Sequence, residues 1–217
     1  MGTARTPSGT RIFMQSAIAA KQSITGITKA NPAVVTYSGT DPVNNDYIAL
    51  VDMFGMTEFE ESLVKAGNVS GAGNTFEAQD QNSTNYGTFV SGNMQVVTMA
   101  TEIGDGTGLT ISGFEQQFAE YNLLRDRITR RLPTTVSAGS VEIPMIWDPT
   151  DATMQAIVAA ADSAQRLGFK VLFPDNLEML FFGYIGASGL PRVENNQSII
   201  QASVSISMAT RPRYVIP

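Results

Sequence analysis

Residues 200 to 208 constrain the fold most tightly, because Ile200, Ala202, Val204, Ile206 and Met208 alternate there with Gln201, Ser203, Ser205 and Ser207. A period of two sends every apolar side chain to one face and every polar one to the other, as in a strand with one dry and one wet side. β-prone runs recur at residues 34 to 37, 47 to 51 and 63 to 64, separated by turn clusters such as Asp41-Pro42 and Val43-Asn44-Asn45-Asp46. Residues 140 to 147 alternate again, with Val141, Ile143 and Met145 on one face. The chain therefore reads as mainly β, and its 217 residues suffice for one ordinary domain with a small module.

Helical signals are confined to two places. Met154, Ile157, Val158 and Ala161 fall at i, i+3, i+4 and i+7 behind Asp148-Pro149, where the aspartate caps and the proline opens a helix. Arg166 and Gly168 then supply a cationic last turn and a stop, which predicts one amphipathic helix over 149–167. Phe114, Phe118, Tyr121, Leu124 and Ile128 recur near helical spacing as well, predicting a second helix over 114–130 that Pro133 ends. Residues 93 to 103 carry β-prone side chains on both faces, as a strand covered from two sides does. Residues 169 to 173, the turn Pro174-Asp175-Asn176 and residues 178 to 185 read as a hairpin. In the tail, Pro212 and Pro217 argue against a regular strand ladder. The expected units are an arm and first strand at 1–21, an inserted β-module and linker at 22–92, and a main domain at 93–217.

Cysteine and histidine are both absent. That excludes disulfides, thiolate zinc sites, cysteine nucleophiles and every Ser-His arrangement. No P-loop or dinucleotide fingerprint is present. Glu58, Glu60 and Glu61 form the densest carboxylate group, but they miss calcium-loop spacing and read as solvated surface. Trp147, between an alternating strand and a helix cap, reads as a core anchor. No enzyme, metal or cofactor is expected.

The net charge of −6 is unevenly spread: residues 1 to 40 hold four basic and no acidic residues, whereas 41 to 120 hold twelve acidic and one basic. Arg125, Arg127, Arg130 and Arg131 then form a basic cluster suited to an interface against the acidic block. Tight nucleic-acid binding needs cations to displace counterions, so it is not expected. The charged fraction, 16%, lies below the roughly 25% usual in soluble domains, as if a partner covered part of the surface. No apolar stretch approaches the about 18 residues of a membrane span.

The order of these elements resembles the major tail tube protein of long-tailed (siphovirus-type) phages. The likeness rests on Ile24-Thr25-Gly26-Ile27-Thr28-Lys29-Ala30-Asn31-Pro32-Ala33-Val34-Val35-Thr36, on Gly55-Met56-Thr57-Glu58, and on Ile146-Trp147-Asp148-Pro149 leading to Phe173-Pro174-Asp175. The segment from Phe114 to Pro133 departs from it, being longer and more basic. The resemblance implies a β-sandwich flanked by one helix, assembling as hexameric rings that stack into a hollow tube for DNA ejection. It implies the virion as location after synthesis in the host cytoplasm. Implied partners are other copies, the tape measure, tail terminator and baseplate or tip proteins, with DNA passing through unbound. Glu102, Asp105, Glu115 and Glu120 are then candidates to face the lumen. Arg5, Arg11, Arg125, Arg127, Arg130, Arg131, Arg211 and Arg213 are candidates for ring or stacking contacts. The alternatives are a glycan-binding, adhesin-like β-module using Tyr37, Tyr47 and Phe54, a carboxylate-only glycosidase, and the tube protein of a contractile tail or secretion system.

Overall fold

The structure is a computed structural model that describes residues 8–122, 127–186, 191 and 199–217. Arg11–Met14 (β1) opens a large sheet, and Ala17–Ile18 (β2) leads into a separate unit. That unit consists of Gln22–Ile27 (β3), Ala33–Ser38 (β4), Tyr47–Phe54 (β5), Ser62–Ser70 (β6), Thr75–Ala78 (β7) and Ser91–Thr98 (β8). The antiparallel order is β8-β3-β4-β7-β6-β5, and β5 pairs back onto β8 with Tyr47 opposite Val97, so the sheet closes into a small barrel. Alternation along β4 sends Ala33, Val35 and Tyr37 inward, where they meet Ile48, Phe59, Phe76 and Met94 in a dry core. Asn45 and Asn74 take left-handed backbone angles in the connecting turns, a conformation asparagine tolerates.

The remaining strands are Thr101–Glu102 (β9), Thr110–Ser112 (β10), Gln116–Tyr121 (β11), Arg130–Val136 (β12) and Ser140–Ile146 (β13). A helix, Ala152–Ser163 (α1), precedes Arg166–Leu172 (β14), Glu178–Ile185 (β15), Gln201–Met208 (β16) and Arg213–Val215 (β17). The large sheet runs β10-β13-β16-β15-β14-β1-β9, with β17 beside β15. Its outermost strands, β9 and β10, are joined by residues 103–109, which bridge the opening. Ile103 donates to the Ile12 carbonyl at 2.8 Å and Thr107 to the Pro144 carbonyl at 2.7 Å. The concave side holds Ile143, Phe169, Val171, Phe181, Val204 and Ile206, with Met154 and Ile157 of α1 packed among them.

The outer face of this sheet is divided. Leu180, Phe182 and Val215 meet Ala49, Val51, Leu63 and Val97 of the barrel in a third dry cluster. At the rim of that contact Glu178 accepts from Lys65 (2.9 Å) and from the Tyr47 hydroxyl (3.1 Å), which itself accepts from Lys170 (3.3 Å). Burial pushes the Lys170 ammonium below the usual lysine range and the Tyr47 hydroxyl well above the usual phenol range. The other half of the face is bare, presenting Ser140, Glu142, Ser203, Ser205 and Ser207 to solvent.

The mainly β class, the helix that follows Asp148-Pro149 and the alternation of residues 140–146 and 201–208 appear as expected. Four expectations are corrected. The described residues of 114–130 form no helix: Gly113 (φ 98°) and Phe114 (φ 59°) turn the chain out of β10 into the hairpin β11–β12. The middle of that segment, including Leu124, lies outside the described residues. The helix is shorter than 149–167. Asp151, not Asp148, caps it by accepting from Met154 N at 2.9 Å, and Ala164 ends it in the left-handed region. Arg166 and Gly168 belong instead to β14, where pairing with β15 outweighs their value as helix-end residues. The tail does join a ladder, since Arg213, Tyr214 and Val215 lie between its prolines and pair with Leu180, Met179 and Glu178. Residues 93–103 are two strands rather than one: β8 closes the barrel beyond residue 92, and β9 crosses to β1.

Candidate assembly interface

Every strand residue of the hairpin β11–β12, thirteen in all, is exposed. Its apolar side chains stand in solvent, with Phe118 at 56%, Leu132 at 54% and Ile128 near the turn at 77% exposure. Cross-strand pairs hold the ribbon together, Glu120 opposite Arg131 and Tyr121 opposite Arg130. Arg131 donates to Glu120 at 2.8 Å. At the neck, Glu115 N donates to the Ser137 hydroxyl and Ser137 N to the Glu115 carbonyl, both at 2.9 Å. Exposed apolar surface of this kind marks a contact with another molecule. Residue spacing hid it, since the same aromatics read as a helix stripe. The β-branched Thr134, Thr135 and Val136 on its second strand were the available signal.

A cleft of about 490 Å³ opens beside the residue 103–109 crossing. Ile12, Ile103, Leu109 and Phe173 supply its apolar lining, and Arg11 and Glu102 stand at its mouth. Arg11 grips Glu102 through two bonds of 2.7 and 2.6 Å. The guanidinium holds the Glu102 carboxyl below the usual carboxylate range, and the carboxylate raises Arg11 in turn. Among the described residues of the lining, Arg11 and Glu102 are the titratable side chains, and they are bound to each other.

The four acidic candidates for a lumen fall on separate segments. Glu102 is paired on β9, Asp105 lies on the crossing with its carbonyl accepting from Ile146 N, Glu115 sits at the hairpin neck and Glu120 is paired on the ribbon. Of the basic candidates, Arg127, Arg130 and Arg131 lie on the hairpin, exposed. Arg11 binds Glu102, and Arg211 lies 6.0 Å over the Phe114 ring. Arg213 is held inside the fold, donating to Gln81 (2.8 Å), Tyr86 (3.2 Å) and the Glu58 carbonyl while its guanidinium lies over Phe59. Arg5 and Arg125 lie outside the described residues.

The Glu58, Glu60 and Glu61 group is structural rather than merely solvated. Glu58 accepts from Gly87 N, Glu60 from Asp52 N and Met53 N, and Glu61 pairs with Arg166. Among the described residues no group of carboxylates is arranged to hold a metal. Trp147 packs at the edge of the large core. Two of the three aromatics proposed for a glycan platform face inward: Tyr37 is buried, with its hydroxyl pushed up to about 12 chiefly by that burial, and Tyr47 sits in the barrel–sheet contact. Only Phe54 is exposed. Among the described residues, no helix is long and apolar enough to cross a membrane.

Comparison with known proteins gives one family. A family model described as phage tail tube protein, TTP, matches residues 54–217, which is most of the chain. No curated protein matches the sequence.

Proposed function

The chain belongs to the phage tail tube protein family, and from that premise we propose that it polymerises as stacked hexameric rings into the hollow tube of a long, siphovirus-type tail through which DNA is ejected. Membership makes it a structural component of the phage tail, located in the virion and assembling with itself and other tail components. The finer partners are the tape measure, tail terminator and baseplate or tip proteins, after synthesis in the host cytoplasm.

The observation that carries self-assembly is the hairpin β11–β12, which exposes Phe118, Ile128 and Leu132 on a ribbon that nothing among the described residues covers. Covering such side chains removes apolar area from water at about 25 cal/mol per Å², a gain open only to an assembled chain. A contact between two different patches of one molecule repeats head to tail and closes a ring. A bore that lets DNA slide needs a wall without lysine or arginine, because each cation would gain counterion-release free energy at a phosphate. The bare half of the large sheet, with its serines and Glu142, meets that requirement.

Negative-stain electron microscopy with light scattering on the purified full-length protein, across a concentration series, tests the reading. Rings or hollow tubes at high concentration are the expected result. A strictly monomeric particle at every concentration counts against it.

A further inference from the structure

Resting on the tube reading, we infer that the contact between neighbouring copies seats Phe118 of one copy in the cleft of the next, with the Glu120–Arg131 pair laid against Arg11–Glu102. The strand register fixes what the ribbon presents. Glu120 faces Arg131 and Phe118 faces Pro133, so these four side chains share one face of the hairpin, an aromatic knob beside an ion pair. The cleft is its counterpart, an apolar hollow beside an ion pair. The hollow has room for the ring at about 490 Å³, and at Gly104 on its lining an added methyl group would meet nothing within 4 Å, whereas at Gly106 and Gly108 it would meet Ile143 and Pro144.

The charges complete the match. Both pairs are accessible, with side-chain exposures of 53% and 38% for Arg11 and Glu102 and of 69% and 54% for Arg131 and Glu120. Laid antiparallel, Arg11 meets Glu120 and Glu102 meets Arg131, and each charge gains a second opposite neighbour while keeping its first. Knob and socket are different surfaces of one chain, so the contact propagates around a ring rather than ending at a dimer. Glu102 and Glu120 are thereby placed at subunit contacts and not in the bore.

Charge inversion tests this with each double variant keeping its own ion pair, the signs exchanged; R11E/E102R also gives up the Arg11 contact over the Phe13 ring at 4.9 Å, so E120R/R131E is the cleaner arm. E120R/R131E alone, or R11E/E102R alone, sets like charges against each other across the contact. Either double is expected to raise the concentration at which light scattering detects assembly by at least about tenfold, equivalent to roughly 1.4 kcal/mol. The quadruple variant restores it. A double that assembles like the parent, or a quadruple that does not recover, overturns the socket. A second measurement uses the absence of cysteine from the chain: F118C protein mixed with L109C protein under oxidation is expected to give a disulfide-linked dimer that neither forms alone, and its absence also overturns the assignment. If the parent protein fails to form rings or tubes by electron microscopy, the tube reading itself falls, an outcome separate from failure of the variants.

Discussion

The barrel and the hairpin are both antiparallel β-structure, yet they are opposite solutions to the same problem. The barrel closes β5 onto β8 and buries Phe59, Phe76 and Met94 completely. The hairpin closes nothing and buries nothing. A two-stranded ribbon is marginal by itself in water, so its persistence in the design of the chain makes sense when another molecule supplies the missing layer. The barrel is finished in one copy, whereas the hairpin is finished by two.

The largest effect expected from this contrast is F76A in the barrel, which should cost the monomer about 3–5 kcal/mol through lost contacts and a cavity, read from chemical denaturation. E178Q should follow at about 3 kcal/mol, because it removes the carboxylate that compensates Lys65 at the barrel–sheet contact. D151A should cost about 1 kcal/mol by leaving a helix amide without its cap. The paired change F118A/L132A should move monomer stability by no more than about 0.5 kcal/mol while suppressing ring or tube formation. A large monomer loss there would erase the contrast, by showing that the hairpin already works inside one chain. A pH series on the monomer gives the finest distinction. Lys170 is depressed below the lysine range by burial, so the unfolded state binds more protons and stability should rise as pH climbs through the folded value. K170M should abolish that rise and leave the barrel folded.

Legibility from sequence follows the same division. Val141, Ile143 and Met145 declared their strand because each is buried against a partner in register, so the period of two survives into the fold. The stripe of Met154 and Ile157 located α1 for the same reason. The hairpin was misread because its apolar residues answer to no core in their own chain, so helical spacing among them was coincidence that nothing constrained. The β5–β8 pairing was invisible since it joins residues as far apart as Tyr47 and Val97 through a shared register, not through any local pattern. The socket joins Arg11 to Glu102 across 91 positions, and proximity of that kind arises only from the sheet. Capping was half legible: both Asp148 and Asp151 bond nearby backbone, and only the geometry separates the turn aspartate from the helix cap.

The pairing of Arg11 with Leu172 has a consequence for how the chain is made. Every strand of the barrel lies between Gln22 and Thr98, so that unit has all its partners as soon as this stretch has left the ribosome. The large sheet has no such independence, because β1, which precedes the barrel in the chain, finds only the two-residue β9 soon after it and must wait for β14 for the rest of its ladder. Domains fold in order of emergence, and the barrel thus stands complete while β1 still lacks β14. Since the knob leaves the ribosome before β14 completes the sheet around the socket, a nascent chain displays a hairpin that finished subunits can already grip.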